Sequence, residues 1–349
     1  GGTTAPYIYQ NTLASPSVSW ETIETSNLGI DLGFLADKLS ITADYFIKKN
    51  KEMLAGIAYP SVIGINTPKS NVGELKTWGW ETVVSWRDHV GEFRYWVTAN
   101  LADAQNELID YYGADVYGEG QVGLLEGYPV NSSWGYKTDG FFTTQEEVDS
   151  HPFHDNRTGI GDTKYLDLDG DGEINQGEQT LEDHGDLVYL GNNNPRYTYG
   201  IQGGFEWKWI DFSVFFQGVG KRALLLDVPV YPYYFGARNP FAEHLDYWTP
   251  ENPDAFWPRP YANGRHNFDP ADRWVQNASY LRLKDLQVGF TFPDAWMSKI
   301  GVQKLRVYFA GRDLWEKTKV LDFIDPEIKN QTYQYPFSRR YTIGLNLSF

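Results

Sequence analysis

Apolar and polar side chains alternate with a period of two along most of this chain. In the final stretch Tyr341, Ile343, Leu345, Leu347 and Phe349 share one face, while Arg340, Thr342, Gly344, Asn346 and Ser348 share the other. The same pattern sets Leu39, Ile41, Ala43, Tyr45 and Ile47 against Ser40, Thr42, Asp44 and Lys48, and Trp78, Trp80, Thr82, Val84 and Trp86 against Thr77, Glu81, Ser85 and Arg87. It continues with Phe93, Tyr95, Val97, Ala99 and Leu101, and with Tyr197, Tyr199, Ile201, Phe205 and Trp207. A period of two is that of a β-strand with one greasy and one wet face. With the runs near 27–35, 210–221, 278–292 and 303–313, about nine strands are predicted, each close to the ~10 residues a tilted strand needs to cross hydrocarbon.

The connections fall into two classes that alternate along the chain. Short ones are Ala36-Asp37-Lys38, Asp88-His89-Val90, Trp209 with its neighbours, and Pro293 to Val302; long ones are 55–71, 109–195, 222–277 and 314–337. Tight turns at one end and extended loops at the other are the pattern of an outer-membrane barrel, and a soluble sandwich has no reason to sort its loops this way. Trp78, Trp80, Trp86, Tyr197, Tyr199, Trp207 and Trp209 sit near strand ends, where amphipathic rings favour the headgroup boundary. The fold class expected is therefore all-β, a transmembrane antiparallel β-barrel with long extracellular loops. Residues 1–26 are expected to be an incoming extracellular segment, and 27–349 barrel, with large loops at about 109–195 and 222–277. Single-chain barrels have even strand numbers, so one strand or more is missing, and the chain reads as the C-terminal part of a longer protein.

Composition narrows the partners. The net charge is −16, with 46 acidic against 30 basic residues and no basic block, which argues against a nucleic-acid partner. No cysteine is present, so disulfide scaffolds and thiolate metal sites are excluded. There is no apolar run long enough for a membrane-spanning helix.

One segment carries recognisable metal chemistry: Asp167-Leu-Asp-Gly-Asp-Gly-Glu-Ile-Asn-Gln-Gly-Glu178 fits a calcium-loop pattern. Asp167, Asp169 and Asp171 supply carboxylates, Gly172 the sharp turn, Glu173 its backbone carbonyl, Asn175 a direct or water-borne ligand, and Glu178 a bidentate clamp. The flanks are not helical, so the expected role of Ca2+ is a structural staple in a long loop. His151 and His154 lack a third ligand at matching spacing and read as surface histidines. No phosphate cradle, nucleophile elbow or metalloprotease helix is present, and the chain is not expected to be an enzyme. The aromatic loop with Tyr231, Tyr233, Tyr234, Trp248 and Trp257 is expected to pack mainly on itself, with some rings left for substrate or partner.

With these features in order, the chain resembles the SusC/RagA-type TonB-dependent transporters of the Bacteroidetes outer membrane. The resemblance runs through "SNLGIDLGFLADKLSITADYF", "NVGELKTWGWETVVSW", "GDTKYLDLDGDGEINQGEQT", "LGNNNPRYTYGIQGGFEWKWIDFSVFFQGVGKR", "YWTPENPDAFWPRP" and "YPFSRRYTIGLNLSF". It implies a plugged barrel of about 22 strands, nutrient import driven by the TonB–ExbB–ExbD system, and a SusD-like surface lipoprotein as lid. It also implies outer-membrane lipid around the wall and a glycan or peptide as substrate. The plug and motor-contacting region are absent from this chain. Tyr341, Ile343, Leu345, Leu347 and Phe349 resemble the C-terminal signal read by the outer-membrane insertion machinery. The alternative from another class is a secreted β-rich, calcium-binding polysaccharide-binding protein or glycosidase.

Overall fold

A computed structural model describes residues 18–56, 69–111, 117–226, 230–232, 240–328 and 338–349. The first part of the chain forms β1 (Thr22–Phe34), β2 (Leu39–Gly56), β3 (Lys69–Val90) and β4 (Phe93–Asp110). Five short strands follow within one long connection: β5 (Gly120–Val122), β6 (Ser132–Gly135), β7 (Thr138–Phe141), β8 (Thr163–Tyr165) and β9 (Val188–Asn192). Then come β10 (Arg196–Trp207), β11 (Ile210–Lys221), β12 (Ala223–Leu225), β13 (Val275–Asn277), β14 (Tyr280–Thr291), β15 (Lys304–Thr318) and β16 (Arg340–Ser348). Nine of these make one sheet in the order β1-β2-β3-β4-β10-β11-β14-β15-β16. Every neighbouring pair in it is antiparallel. No helix among the described residues is long and apolar enough to cross a membrane.

The turns explain why short and long connections alternate. Leu35, Ala36 and Asp37 all take positive φ, reversing the chain between β1 and β2. Lys208, at φ 53°, opens the two-residue turn that lets Trp207 pair with Ile210. The turn expected at Asp88-His89-Val90 lies two residues on. All three stay in β3, Val90 pairs with Phe93, and the chain reverses at Gly91, whose φ of 59° is cheap only without a Cβ. The first strand also begins at Thr22, ahead of the expected 27; residues 1–17 of the expected leading segment lie outside the described residues.

Cross-strand register keeps the two faces separate over many strands. On one face Leu345 pairs with Val307, Val288 with Phe309, Phe212 with Val288, Phe205 with Phe212, Tyr95 with Phe205, and Ile41 with Val84. This face is bare: Leu28 is 77% and Ile343 82% exposed, and Ile30, Val97, Leu101, Ile201 and Val288 are exposed with them. Among the described residues no second sheet packs over it. A contiguous apolar surface of that extent marks a membrane or an interface, not a water-facing wall.

The opposite face is a hydrogen-bonded polar ladder. Thr42 Oγ1 donates to Asp31 at 2.7 Å, Ser85 and Thr98 share a bond of 2.9 Å, Arg306 Nε donates to Asp211 at 2.9 Å, and Arg312 Nε to Asp285 at 3.0 Å. Each bond joins partners on adjacent strands or one strand further, so the polar groups satisfy one another along the wall.

The buried core lies in the long connections. Tyr117, Trp134, Tyr165 and Leu187 come from the connection after β4, Trp257, Phe268 and Trp274 from that after β12, and Val320 and Ile324 from that after β15. Three connections thus share one core at one end of the sheet, while the sheet buries its apolar face against nothing among the described residues.

Candidate functional site

The acidic loop forms a compact turn. Gly170 and Gly172 take φ of 81° and 90°, conformations that a side chain would strain. Their amides donate to the two oxygens of Asp167, at 2.6 and 3.0 Å. Asp171 accepts from Glu173 N at 2.8 Å and from Asn175 Nδ2 at 3.1 Å. Asp167, Asp169 and Asp186 bring one carboxylate oxygen each within 4.8 Å of one another. Desolvation and the carboxylates of Asp171, Asp186 and Asp167 raise the pKa of Asp169, although its largest single influence, the hydrogen bond from Asp171 N, pulls the other way. A hard divalent cation would relieve this crowding of negative charge.

The geometry redistributes the expected ligand set. Of the carboxylates expected as ligands, Asp171 and Glu178 stand outside the converging group, which Asp186 joins; the backbone carbonyl given to Glu173 and the ligand given to Asn175 are not carboxylates of this group. Glu178 follows Gly177 on an exposed turn. Asp186 is fully buried and is fixed by amides from both sides of the loop, accepting from Leu168 N and from Asn175 N at 3.0 Å. Sequence spacing did not mark Asp186, because it lies beyond the twelve-residue pattern and meets Asp167 and Asp169 only when the chain doubles back.

The aromatic loop is packed inward. Trp257 is 1% exposed and stacks on Trp274 with centroids 5.7 Å apart and planes at 20°; Tyr231 stacks on Phe268 at 4.7 Å and 18°. Trp248 is buried beside Phe141 and Ala255. These three rings are therefore unavailable to a ligand or partner, a correction to the expectation for Tyr231, Trp248 and Trp257. Tyr233 and Tyr234 lie outside the described residues.

Titratable groups missed in the sequence gather where the long connections meet. His154, expected at the surface, pairs with Asp269 at 2.9 Å with its side chain 12% exposed. Glu119 exchanges side-chain and backbone hydrogen bonds with Gln176. Burial first, and then the Asp269 carboxylate, push Glu119 up to about 7. Arg282, on the polar face of β14, is buried among Glu316, Asp325 and Glu327 and ties the last long connection to the wall. Its polar position on a strand was visible in the alternation; its three acidic partners were not, since two of them come from an irregular segment.

Tyr341, Ile343, Leu345 and Leu347 lie exposed on the apolar face of β16, with Phe349 beyond the strand end at 79% exposure.

No protein-family model matches the chain. A TonB-dependent receptor of Formosa agariphila is 29% identical over 96% of this chain and 35% of its own length. The TonB-dependent receptor SusC of Bacteroides thetaiotaomicron is 24% identical over 95% of the chain and 32% of its own length. The structure of the RagAB peptide importer in its open-open state superposes with a TM-score of 0.73 at 22% identity, over 97% of this chain and 36% of that one. The chain thus spans about a third of the length of the relatives it matches. Sequential antiparallel strands, one bare apolar face and end-to-end similarity agree: over nearly its whole length the chain is similar to part of TonB-dependent receptors, and it shares the fold of the matching part of the RagAB importer.

Proposed function

We propose that this chain is part of the wall of an energy-coupled outer-membrane importer, which takes up oligosaccharides or peptides and is driven by TonB–ExbB–ExbD. The observation that carries this reading is the bare apolar face of the nine-stranded sheet, set back to back with a polar ladder. Lipid outside and water within suit those two faces, and a spanning strand needs both its edges paired and its outer face greasy. The long connections, fused over one core, stand at the extracellular side, where a SusD-like lipoprotein would meet them. Transport involves no covalent chemistry: the wall encloses, the loops hold, and the polar face lets a hydrated solute pass. The C-terminal pattern Tyr341 to Phe349 serves insertion into the outer membrane.

The acidic turn is proposed as a structural Ca2+ site held by Asp167, Asp169 and Asp186, with remaining positions filled by loop carbonyls and water. The ion contributes by fixing the exposed, glycine-containing turn at 168–173, which lies outside the apolar core of its connection. The secreted, soluble alternative needs a cover for the apolar face, and none of the described residues supplies one.

The test is fractionation of the full-length protein. The importer reading expects it in the outer membrane, released only by detergent and accompanied by a surface lipoprotein. Recovery in aqueous buffer after membranes are pelleted overturns it.

A further inference from the structure

A second site lies apart from the acidic turn, at the long-connection ends of β4, β10 and β11. There a cavity of about 390 Å³ opens between the strand ends and the segments around Pro129 and 189–194. That volume lies within the ~300–1,000 Å³ range of small-ligand sites. Its lining is unusual for a chain of net charge −16: it contains Arg196, Lys221 and Arg222 and no carboxylate.

The three cations are not equivalent. Arg196 is neutralised by a two-pronged bond to Asp103. Arg222 is held by neutral acceptors, the carbonyl and Oδ1 of Asn193 and the carbonyl of Pro326, and among the described residues no carboxylate is bonded to it. Lys221 is exposed and has no ion pair among the described residues. Two positive charges therefore face the cavity with no bonded carboxylate among the described residues; Asp103 lies within Coulombic reach of Lys221, and Glu327 and Asp325 within that of Arg222, but the lining itself is net positive, and in a partly desolvated site that favours an anionic group.

The remaining lining groups are preorganised. Asn106 accepts from Val130 N at 2.8 Å, which leaves its amide NH2 as a donor. Tyr189 is 40% exposed and is braced by Trp134 and Tyr128, with centroids 6.0 and 5.5 Å away. A braced, partly exposed ring, an amide donor and a cationic lining free of carboxylates are what a sugar ring bearing a negative group needs: stacking, hydroxyl hydrogen bonds and charge.

We infer that this cavity binds an acidic saccharide unit, one carrying a carboxylate or a sulfate, with Lys221 and Arg222 on the anionic group and Tyr189 against the ring. As a capture point for imported material it rests on the importer reading; as a binding site it does not.

The experiment uses the full-length protein in detergent and calorimetric titration with three probes: a glucuronate-containing disaccharide, its neutral glucose counterpart, and a capped acidic tripeptide. The acidic disaccharide is expected to bind at least ten-fold more tightly than either of the others. Lys221→Gln is expected to remove that preference, and Tyr189→Ala to weaken both sugars. Folding of each variant is checked by heat-modifiable gel migration, and the exposed Lys221 keeps at least one variant intact. Equal binding of acidic and neutral sugars, tighter binding of the peptide, no saccharide binding, or indifference to Lys221→Gln overturns the inference. Loss of binding in a protein that still needs detergent sinks the cavity alone. Intact binding in a protein that stays in buffer sinks the importer reading alone.

Discussion

Trp96 lies across Gly204: the two are register partners on β4 and β10, and the indole Cζ2 stands 3.0 Å from where a Cβ at 204 would project. The arrangement recurs on the polar face, with the Phe46 ring over Gly79, Asn100 over Gly200 and Tyr308 over Gly344. Large side chains are laid flat along the wall because the partner position is empty. Each glycine gives up local strand propensity in return for this close fit.

Gly204→Ala should therefore destabilise the sheet by about 1–3 kcal/mol, the usual cost of forcing an extra methyl into a filled position. The midpoint of heat-induced loss of the compact gel band measures it. Adding Trp96→Ala should restore only part of the loss, because the carbonyl of Phe212 also crowds that position. Full restoration would mean that the ring alone demands the glycine.

Removing calcium should loosen the acidic turn without touching the barrel. With chelator, proteolysis within 109–195 should rise while the strands stay protected, and Asp186→Asn should reproduce this in the presence of Ca2+. Glu178→Gln should have the smaller effect, since Glu178 stands outside the converging carboxylates. Identical cleavage with chelator and with Ca2+ counts against the metal.

Acidity should tighten the meeting point of the long connections. Glu119 faces Asp269, Arg265, His154 and Tyr136, and its folded pKa of about 7 exceeds the ordinary 4.5. Between those values the folded state keeps a proton that the unfolded chain releases, so stability is greatest below 4.5 and declines as pH rises toward 7. Hydrogen exchange at 117–120 and 176–179, corrected for intrinsic rates, should show faster opening across that window. Glu119→Gln should flatten the profile; an unchanged profile would assign the effect to another group.

Arg282→Met should be costly, because it leaves Glu316, Asp325 and Glu327 crowded, with only Lys284, 3.9 Å from Glu327, as a remaining cation. Breaking a buried pair by deleting one partner typically costs about 3–5 kcal/mol. Arg282→Lys should recover part, keeping the charge but losing the planar fork. Urea denaturation followed by tryptophan fluorescence reads both.

The sheet was legible in the sequence because a one-residue slip would turn a strand such as β16 inside out, greasy side to water, so alternation fixes which face is which. Strand ends were less so: β3 runs for 22 residues, and nothing in its composition marks where lipid stops. The acidic turn was visible at Asp167 and Asp169 because these carboxylates are close in sequence. Asp186, Glu119 and Asp269 were not, since their roles arise from contacts between separate connections. That the aromatic loop packs mainly on itself was expected, but which rings do so was not legible, because a ring such as Trp257 looks the same in sequence whether it stacks on a neighbour or on a ligand; only burial distinguishes the two.

The length of β3 has a geometric consequence. At ~3.3 Å per residue and a tilt near 40°, its 22 residues climb to roughly 55 Å, whereas the greasy band of such barrels is only about 25 Å tall. The surplus stands clear of the bilayer as a parapet. For an importer, a nutrient arriving from outside would enter a chimney well before it reached the plane of the lipid. Its remaining search would then run along one axis instead of across an open surface.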